Sequence, residues 1–120
     1  SYSVKHPIEN LTLSNAVRMA VIGLMKSLAN ELGPQGIRVN CILPGITYTD
    51  RVEQLMQARA EKNGSTPAEE LAKTAASIPL RRTGTVEEFG KLAAFLLSPA
   101  VGYIHGVAIP FDGGSTASPL

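Results

Sequence analysis

The chain has 120 residues, of which 44% are hydrophobic and 18% are charged, a balance typical of a globular domain or a piece of one. Its formal net charge is +1, so the composition predicts no nucleic acid partner. Lysines and glycines interrupt the longest apolar stretches, which argues against a membrane span. The single cysteine, Cys41, excludes an internal disulfide and indicates a reducing compartment, with the cytoplasm as the default.

The first part of the chain predicts one long helix. Residues 1–10 are polar and predict the end of a strand followed by a loop. Gly33, expected to accept a positive φ, and Pro34 end the helix that precedes them. That helix spans residues 11–32, because apolar side chains recur on one face at three- and four-residue steps: Leu13, Val17, Ala20, Leu24, Leu28 and Leu32.

The middle of the chain predicts a strand and two helices. Residues 37–43 are mostly apolar and are followed by Pro44-Gly45, which predicts a strand buried on both faces, with Cys41 in the core. Helices are predicted over residues 50–62 and 67–77. The second helix has a capping residue, Thr66, a proline in its first turn and a glutamate that completes a capping box.

The last part predicts a helix, a strand and a turn. Thr85 to Glu88 form another capping box, the strand runs from Gly106 to Phe111, and Asp112-Gly113-Gly114 reads as a structural turn near a subunit contact. The helix continues to about Leu97 with its inward face made of Val86, Phe89, Leu92, Ala93 and Leu96.

This alternation of helices and strands predicts an α/β fold with parallel strands. Two strands alone cannot cover their own edges. Either the rest of the sheet lies on a segment outside this chain, or the fold class is different. Ligands of open parallel sheets bind beyond the carboxyl ends of the strands, which points to residues 1–3, residues 44–49 and the turn after Phe111.

Several motifs in order resemble the second half of short-chain dehydrogenases/reductases. The run over residues 26–40 leads to Pro44-Gly45 and Thr49-Asp50, and residues 79–82, Gly84, Glu87, Glu88 and Asp112-Gly113-Gly114 follow. Each motif alone is weak, and the whole series is specific. The resemblance implies that residues 1–120 are the C-terminal part of a Rossmann-like doubly wound parallel sheet, without the N-terminal cofactor-binding half. Residues 46–84 would be the lid over the substrate.

The resemblance also implies a catalytic set with two departures. The family uses a serine at a strand end and, on the next helix, a tyrosine and a lysine four residues apart. The matching positions here are Ser1, Ser14 and Arg18, with Ser3 as the fallback for the serine. Serine is a poor general acid near neutral pH, and arginine binds ribose hydroxyls but cannot release a proton. Read without the resemblance, Ser14 and Arg18 are polar positions on a solvated helix face.

Other side chains near these positions are weaker candidates for the proton donor. Tyr48 lies in the loop after Pro44-Gly45. His6, with Tyr2 and Lys5, lies beside the serine, and an imidazole titrates near neutral pH. None has the family's spacing. Arg81 and Arg82 read as surface charges or ion-pair partners.

Two functions follow from the resemblance. The first is an oxidoreductase dependent on NAD or NADP, with an atypical proton donor, that transfers hydride to or from a carbonyl, a hydroxyl or an activated alkene. The second is a catalytically silent homologue that binds nucleotide and has a structural or regulatory role. The cofactor would contact Arg18 and a nicotinamide-side loop of Pro44, Gly45, Thr47 and Thr49. The substrate would be a partly apolar small molecule, and residues 11–32 would pair subunits into a homodimer or homotetramer.

Overall fold

The structure is a computed structural model that describes residues 1–118. Two strands, β1 (Cys41–Pro44) and β2 (Ala108–Phe111), pair in parallel with Cys41 opposite Ala108 and Pro44 opposite Phe111. This pairing confirms the α/β class with a parallel sheet. The helices are α1 (Thr12–Leu32), α2 (Asp50–Asn63), α3 (Pro67–Ser77) and α4 (Val86–Leu97), and short 3-10 turns lie at Tyr2–Val4, Gly33–Gln35 and Pro99–Val101.

The predicted capping boxes of α3 and α4 are both formed. The hydroxyls of Thr66 and Thr85 accept from the backbone N–H groups of Glu69 and Glu88 at 3.2 and 3.1 Å. The two carboxylates accept in return from the backbone N–H groups of the threonines at 2.8 and 3.0 Å. These bonds satisfy donors that a helix start leaves free, which is why both helices begin where the sequence predicts.

The predicted strand end in residues 1–10 is wrong. Tyr2–Val4 form a 3-10 turn, and the side chain of Ser1 accepts from the backbone N–H of Ser3 at 3.2 Å. A serine before a turn competes in this way with extended backbone. The turn packs against both α1 and β1, so residues 1–4 still lie beside the sheet.

Helix α1 ends where the sequence predicts, but the prediction that Gly33 has a positive φ is wrong. Gly33 has φ −53°, so it continues the right-handed backbone into a 3-10 turn. Gly36, with φ 77°, supplies the left-handed residue that ends this turn. A glycine accepts such a φ without the steric penalty that a side chain brings.

The predicted strand over residues 37–43 is shorter at its start than expected. Before Cys41, this segment is held largely by hydrogen bonds that involve side chains rather than by a regular strand ladder. Arg38 donates to the carbonyls of Leu96 at 2.7 Å and of Ile104 at 3.2 Å, and Asn40 donates to the same Ile104 carbonyl at 3.0 Å. The backbone N–H of Val39 donates to a side chain on the opposite segment rather than to a strand. Regular pairing therefore begins at Cys41.

Only some of the residues that the sequence predicts to be buried are buried in the structure. Leu43 is the fully buried residue of β1, at 2% exposure, and Cys41 is half-buried. The prediction of a strand buried on both faces, with Cys41 in the core, is therefore wrong for this chain. On α1 the buried residues are Met25 and Ala29, while much of the predicted apolar face is exposed, including Leu13, Val17 and Leu24. On α4, Leu96 is buried but Val86 is exposed.

The segment over residues 46–84 contains two helices, as predicted, and they form a hairpin. Helices α2 and α3 pack against each other, and Met56 and Ala60 of α2 are buried. The two ends of the segment meet where Thr47 and Gly84 form a parallel bridge. Among residues 1–118, no helix combines the length and apolar character needed to cross a membrane.

Candidate active site

The structure brings Ser14 and Arg18 into contact on one face of α1. The Arg18 Nε–H donates to Ser14 Oγ at 3.1 Å. Ser14 is half-buried and Arg18 is exposed. The four-residue spacing places both side chains on one side of the helix, so the predicted pair exists as a hydrogen-bonded unit.

Ser1 caps the 3-10 turn of Tyr2–Val4. The residues of this turn contact both α1 and β1. The turn therefore carries Ser1 and Ser3 beside the helix that holds Ser14 and Arg18.

Ser3 differs from Ser1 in the state of its hydroxyl. Ser3 is 3% exposed, and its Oγ has no hydrogen-bond partner among residues 1–118. The Ser1 hydroxyl oxygen is already engaged by the Ser3 backbone N–H. A buried hydroxyl without a partner costs free energy, so Ser3 Oγ is the atom of this turn that most needs an external partner.

The predicted nicotinamide-side loop begins at the carboxyl end of β1. The Gly45 N–H donates to the carbonyl of Phe111 at 2.9 Å. A methyl group added at Gly45 would lie 2.8 Å from Cα of Asp112, closer than real contacts allow. Gly45 is thus required by the close approach of the turn that follows β2.

Thr47 and Thr49, the other two predicted loop residues, lie in different environments. Thr47 Oγ1 is buried without a partner among the described residues. Thr49 is exposed as the N-cap of α2, and its side chain makes no capping hydrogen bond in that part of the chain. Neither hydroxyl has a hydrogen-bond partner among the described residues, and neither adds charge.

The loop is joined to Gly84 by backbone hydrogen bonds. The Tyr48 N–H donates to the Gly84 carbonyl at 2.9 Å, and the Gly84 N–H donates to the Ile46 carbonyl at 3.0 Å. A methyl group at Gly84 would lie 2.9 Å from the ring of Phe111. That ring packs edge-on against Phe89 of α4, with centroids 5.6 Å apart.

The turn after β2 is closed by the carboxylate of Asp112. One oxygen accepts from the Gly114 N–H at 3.0 Å, and the other accepts from the N–H and the hydroxyl of Thr116 at 2.8 and 2.5 Å. Burial raises the pKa of Asp112, but the hydrogen bonds from Thr116 and Gly114 outweigh it and lower the pKa overall. The predicted structural turn is present, with a negative charge at its centre.

A cavity of about 560 Å³ lies beside the loop. Residues 78–80 and 82–84, the end of β2 and the turn after it form most of its lining, together with Ile46. Ile46 and the turn belong to segments that the sequence pointed to. The predicted catalytic and cofactor-binding residues do not line the cavity. Arg82, on its wall, makes two hydrogen bonds to the Glu88 carboxylate at 2.8 and 2.6 Å, so it is an ion-pair partner, as the sequence suggested.

The weaker candidates for the proton donor have separate positions. Tyr48 is 43% exposed in the loop, and His6 is exposed after the 3-10 turn. The sequence missed the part played by Asp112 as the closing residue of the turn. Its signal was an aspartate followed at the fourth position by a threonine. Among residues 1–118, no group of three or more His, Cys, Asp or Glu side chains is arranged to hold a metal ion.

Comparison with known proteins gives a consistent result. Residues 1–116 match the family described as Enoyl-(Acyl carrier protein) reductase. The NADPH-dependent reductase BacG of Bacillus subtilis is 37% identical over 114 residues, which cover 95% of this chain and 44% of BacG. A short chain dehydrogenase family protein from Francisella tularensis superposes with a TM-score of 0.92 at 32% identity, over 98% of this chain and 49% of that one.

A third relative carries a bound cofactor. The L-sorbose reductase of Gluconobacter frateurii, whose crystal structure is a complex with NADPH and L-sorbose, superposes with a TM-score of 0.82 at 30% identity. The superposition covers 87% of this chain and 40% of the reductase. In all three comparisons the chain spans about half or less of the relative's length.

Proposed function

This chain belongs to the short-chain dehydrogenase/reductase family, and we propose that it is the C-terminal half of an NAD(P)-dependent oxidoreductase with an altered proton-transfer step. The observation that carries the proposal is the hydrogen bond from Arg18 Nε to Ser14 Oγ at 3.1 Å. The domain's other half would bind most of the nucleotide.

The Ser14–Arg18 unit has a defined chemical capacity. Because Arg18 donates to the serine oxygen, the hydroxyl proton of Ser14 remains available to a substrate oxygen. A hydroxyl aimed at a developing negative charge stabilises it as a hydrogen-bond donor. Arg18 adds a fixed positive charge beside it and never loses its proton. The unit therefore polarises a carbonyl, and solvent delivers the final proton.

The chain's donors suit a nicotinamide nucleotide. The buried, unpartnered Thr47 Oγ1 and the free Thr49 hydroxyl are uncharged groups that suit a carboxamide or a phosphate, and Arg18 suits ribose hydroxyls. When bound, the nucleotide supplies or accepts the hydride. Pro44 and Gly45 hold the loop at the end of β1. In this arrangement Ser1, or Ser3 with its unpartnered hydroxyl, orients the substrate oxygen.

The rest of the proposal concerns the substrate, the assembly of subunits and the cellular compartment. The apolar walls of the neighbouring cavity and the lid over residues 46–84 favour a partly apolar small-molecule substrate. The exposed apolar face of α1 favours pairing of subunits into a homodimer or homotetramer. The half-buried single thiol favours a cytoplasmic, reducing compartment.

The test uses the intact protein with NADPH and with NADH against a panel of carbonyls and activated alkenes. We expect cofactor oxidation, and we expect Ser14→Ala to lower kcat about 100-fold through loss of one preorganised donor. Ser27→Ala, at an exposed position of the same helix, is the matched control and should retain wild-type kcat.

The alternative is a catalytically silent, nucleotide-binding homologue, favoured by the same two residues. The double variant Ser14→Tyr, Arg18→Lys separates the two functions. Activity that falls in this variant supports the enzyme. Activity that appears only in this variant, from a wild type that binds nucleotide without turnover, establishes the silent homologue instead.

A further inference from the structure

The turn after β2 contacts two parts of the proposed site at once. On one side, Asp112 Cα and Cβ would both lie 2.8 Å from a methyl group at Gly45, and the Gly45 N–H donates to Phe111. The nicotinamide-side loop thus rests directly on the backbone of this turn. No side chain separates them, so a shift of the turn moves the loop.

On its other side the turn holds the C-terminal end of the lid. The Leu80 N–H donates to the Gly113 carbonyl at 3.2 Å. A methyl group at Gly113 would lie 2.7 Å from Ile78, and one at Gly114 would lie 3.2 Å from the ring of Pro79. Both glycines have positive φ, 62° and 87°, a backbone that side chains rarely adopt.

The Asp112 carboxylate keeps this turn in one conformation. It accepts three hydrogen bonds, all from residues of the turn itself. Charge-assisted bonds to backbone N–H groups are stronger than bonds between neutral groups. Their loss leaves a backbone with two left-handed glycines, held only by the bonds from Ser115 to the Asp112 carbonyl and from Leu80 to the Gly113 carbonyl.

We infer that Asp112 is a positioning residue that holds the nicotinamide-side loop and the end of the lid in a fixed relation to each other. The inference rests on the proposed function for its catalytic consequence and on the contacts of Gly45 and Leu80 for its structural one. Asp112 itself acts through these two segments. Reaction rates depend steeply on such placement, since a shift of about 1 Å can cost about 100-fold in rate.

The experiment compares Asp112→Ala with wild type in the intact protein. Amide hydrogen exchange is measured for peptides that contain Gly45, Leu80 and, as a reference, Met25. We expect faster exchange at Gly45 and Leu80 and unchanged exchange at Met25. Unchanged exchange at all three, or a uniform rise across the chain, overturns the inference.

Kinetics provide a second readout below the unfolding temperature of every variant. We expect Asp112→Ala to lower kcat about tenfold, Asp112→Asn to restore part of it through its one remaining acceptor oxygen, and the exposed control Glu31→Ala to match wild type. Wild-type kcat and KM in Asp112→Ala, despite faster exchange, overturn the positioning role. If Asp112→Ala does not fold, Thr116→Val removes one donor and is read by the same criteria.

The two proposals fail in different ways. If the wild-type protein turns over no substrate, the proposed function fails, and exchange at Gly45 and Leu80 still decides whether Asp112 holds the two segments. If the enzyme is active and Asp112→Ala is indistinguishable from it, only the inference about Asp112 fails.

Discussion

The helical hairpin of α2 and α3 and the α1–β1 layer, formed by α1, β1 and the 3-10 turn of Tyr2–Val4 that contacts both, reach stability by different routes. The hairpin of α2 and α3 has its own cap, a left-handed glycine between the helices and a buried contact between them. The α1–β1 layer exposes Leu13, Val17 and Leu24 and has only one fully buried strand residue, Leu43.

The difference shows where local sequence determines structure and where neighbours do. A cap or a glycine at φ 63° acts within a few residues, so it works in any context. Burial of a parallel sheet requires layers on both faces. The second requirement is not local, and we therefore expect the α1–β1 layer to depend more than the hairpin on contacts distant in sequence.

The largest effect is expected at Leu43, which is 2% exposed. Leu43→Ala in the intact protein should cost about 2–5 kcal/mol of unfolding free energy, through lost burial and a residual cavity. Leu97→Ala, at 83% exposure, is the control and should change stability by less than about 0.5 kcal/mol. Urea denaturation measures both. Equal costs at the two positions would mean that this strand is not the core of the layer.

The sequence predicted the helices and the order of elements well, for reasons that these contacts make clear. Thr66 and Thr85 act on N–H groups three residues away, so their motifs specify helix starts locally. The predicted start of the strand over residues 37–43 was too early. The side chains of Arg38 and Asn40 donate hydrogen bonds to carbonyls that are 58 and 64 residues further along the chain. No periodic pattern signals such a contact.

The site shows the same division. The four-residue spacing of Ser14 and Arg18 was enough to predict that they share one face of a helix. The role of Asp112 was not predictable from its motif, because it depends on the packing of Gly45 and residues 78–80 around the turn. The family resemblance predicted which residues form the site. The structure was needed to show which contacts fix their positions.

A second effect is expected at His105, which connects α1 to the strand layer. Its Nδ1 accepts from the Val39 N–H at 3.1 Å, and its Nε2 lies 2.9 Å from the Ala29 carbonyl, which assigns the proton to Nε2. His105→Ala removes both bonds and should cost about 1–3 kcal/mol, because the Val39 N–H loses its partner and the Ala29 carbonyl keeps only the bond from the Gly33 N–H. His6→Ala, at an exposed position, is the control. Similar unfolding midpoints for the two variants would show that the layer does not depend on this bridge.

The smallest effect is expected in the hairpin of α2 and α3 and appears only in acid. Hydrogen bonds from Lys73 and then Ser65 lower the pKa of Glu70 from 4.5 to about 2. A carboxyl with a depressed pKa stabilises the fold at pH values above its ordinary pKa and loses that contribution as the pH falls through its pKa in the folded protein. The stability of the hairpin should therefore decline between about pH 4.5 and 2, as protonation weakens both hydrogen bonds.

Hydrogen exchange of the backbone amides in α2 and α3, corrected for the intrinsic exchange rate at each pH, measures this decline. Glu70→Gln should remove most of the pH dependence in this window, while Glu61→Gln, at an exposed position of α2, should leave it intact. A decline of equal size in the Glu70→Gln protein would place its origin elsewhere.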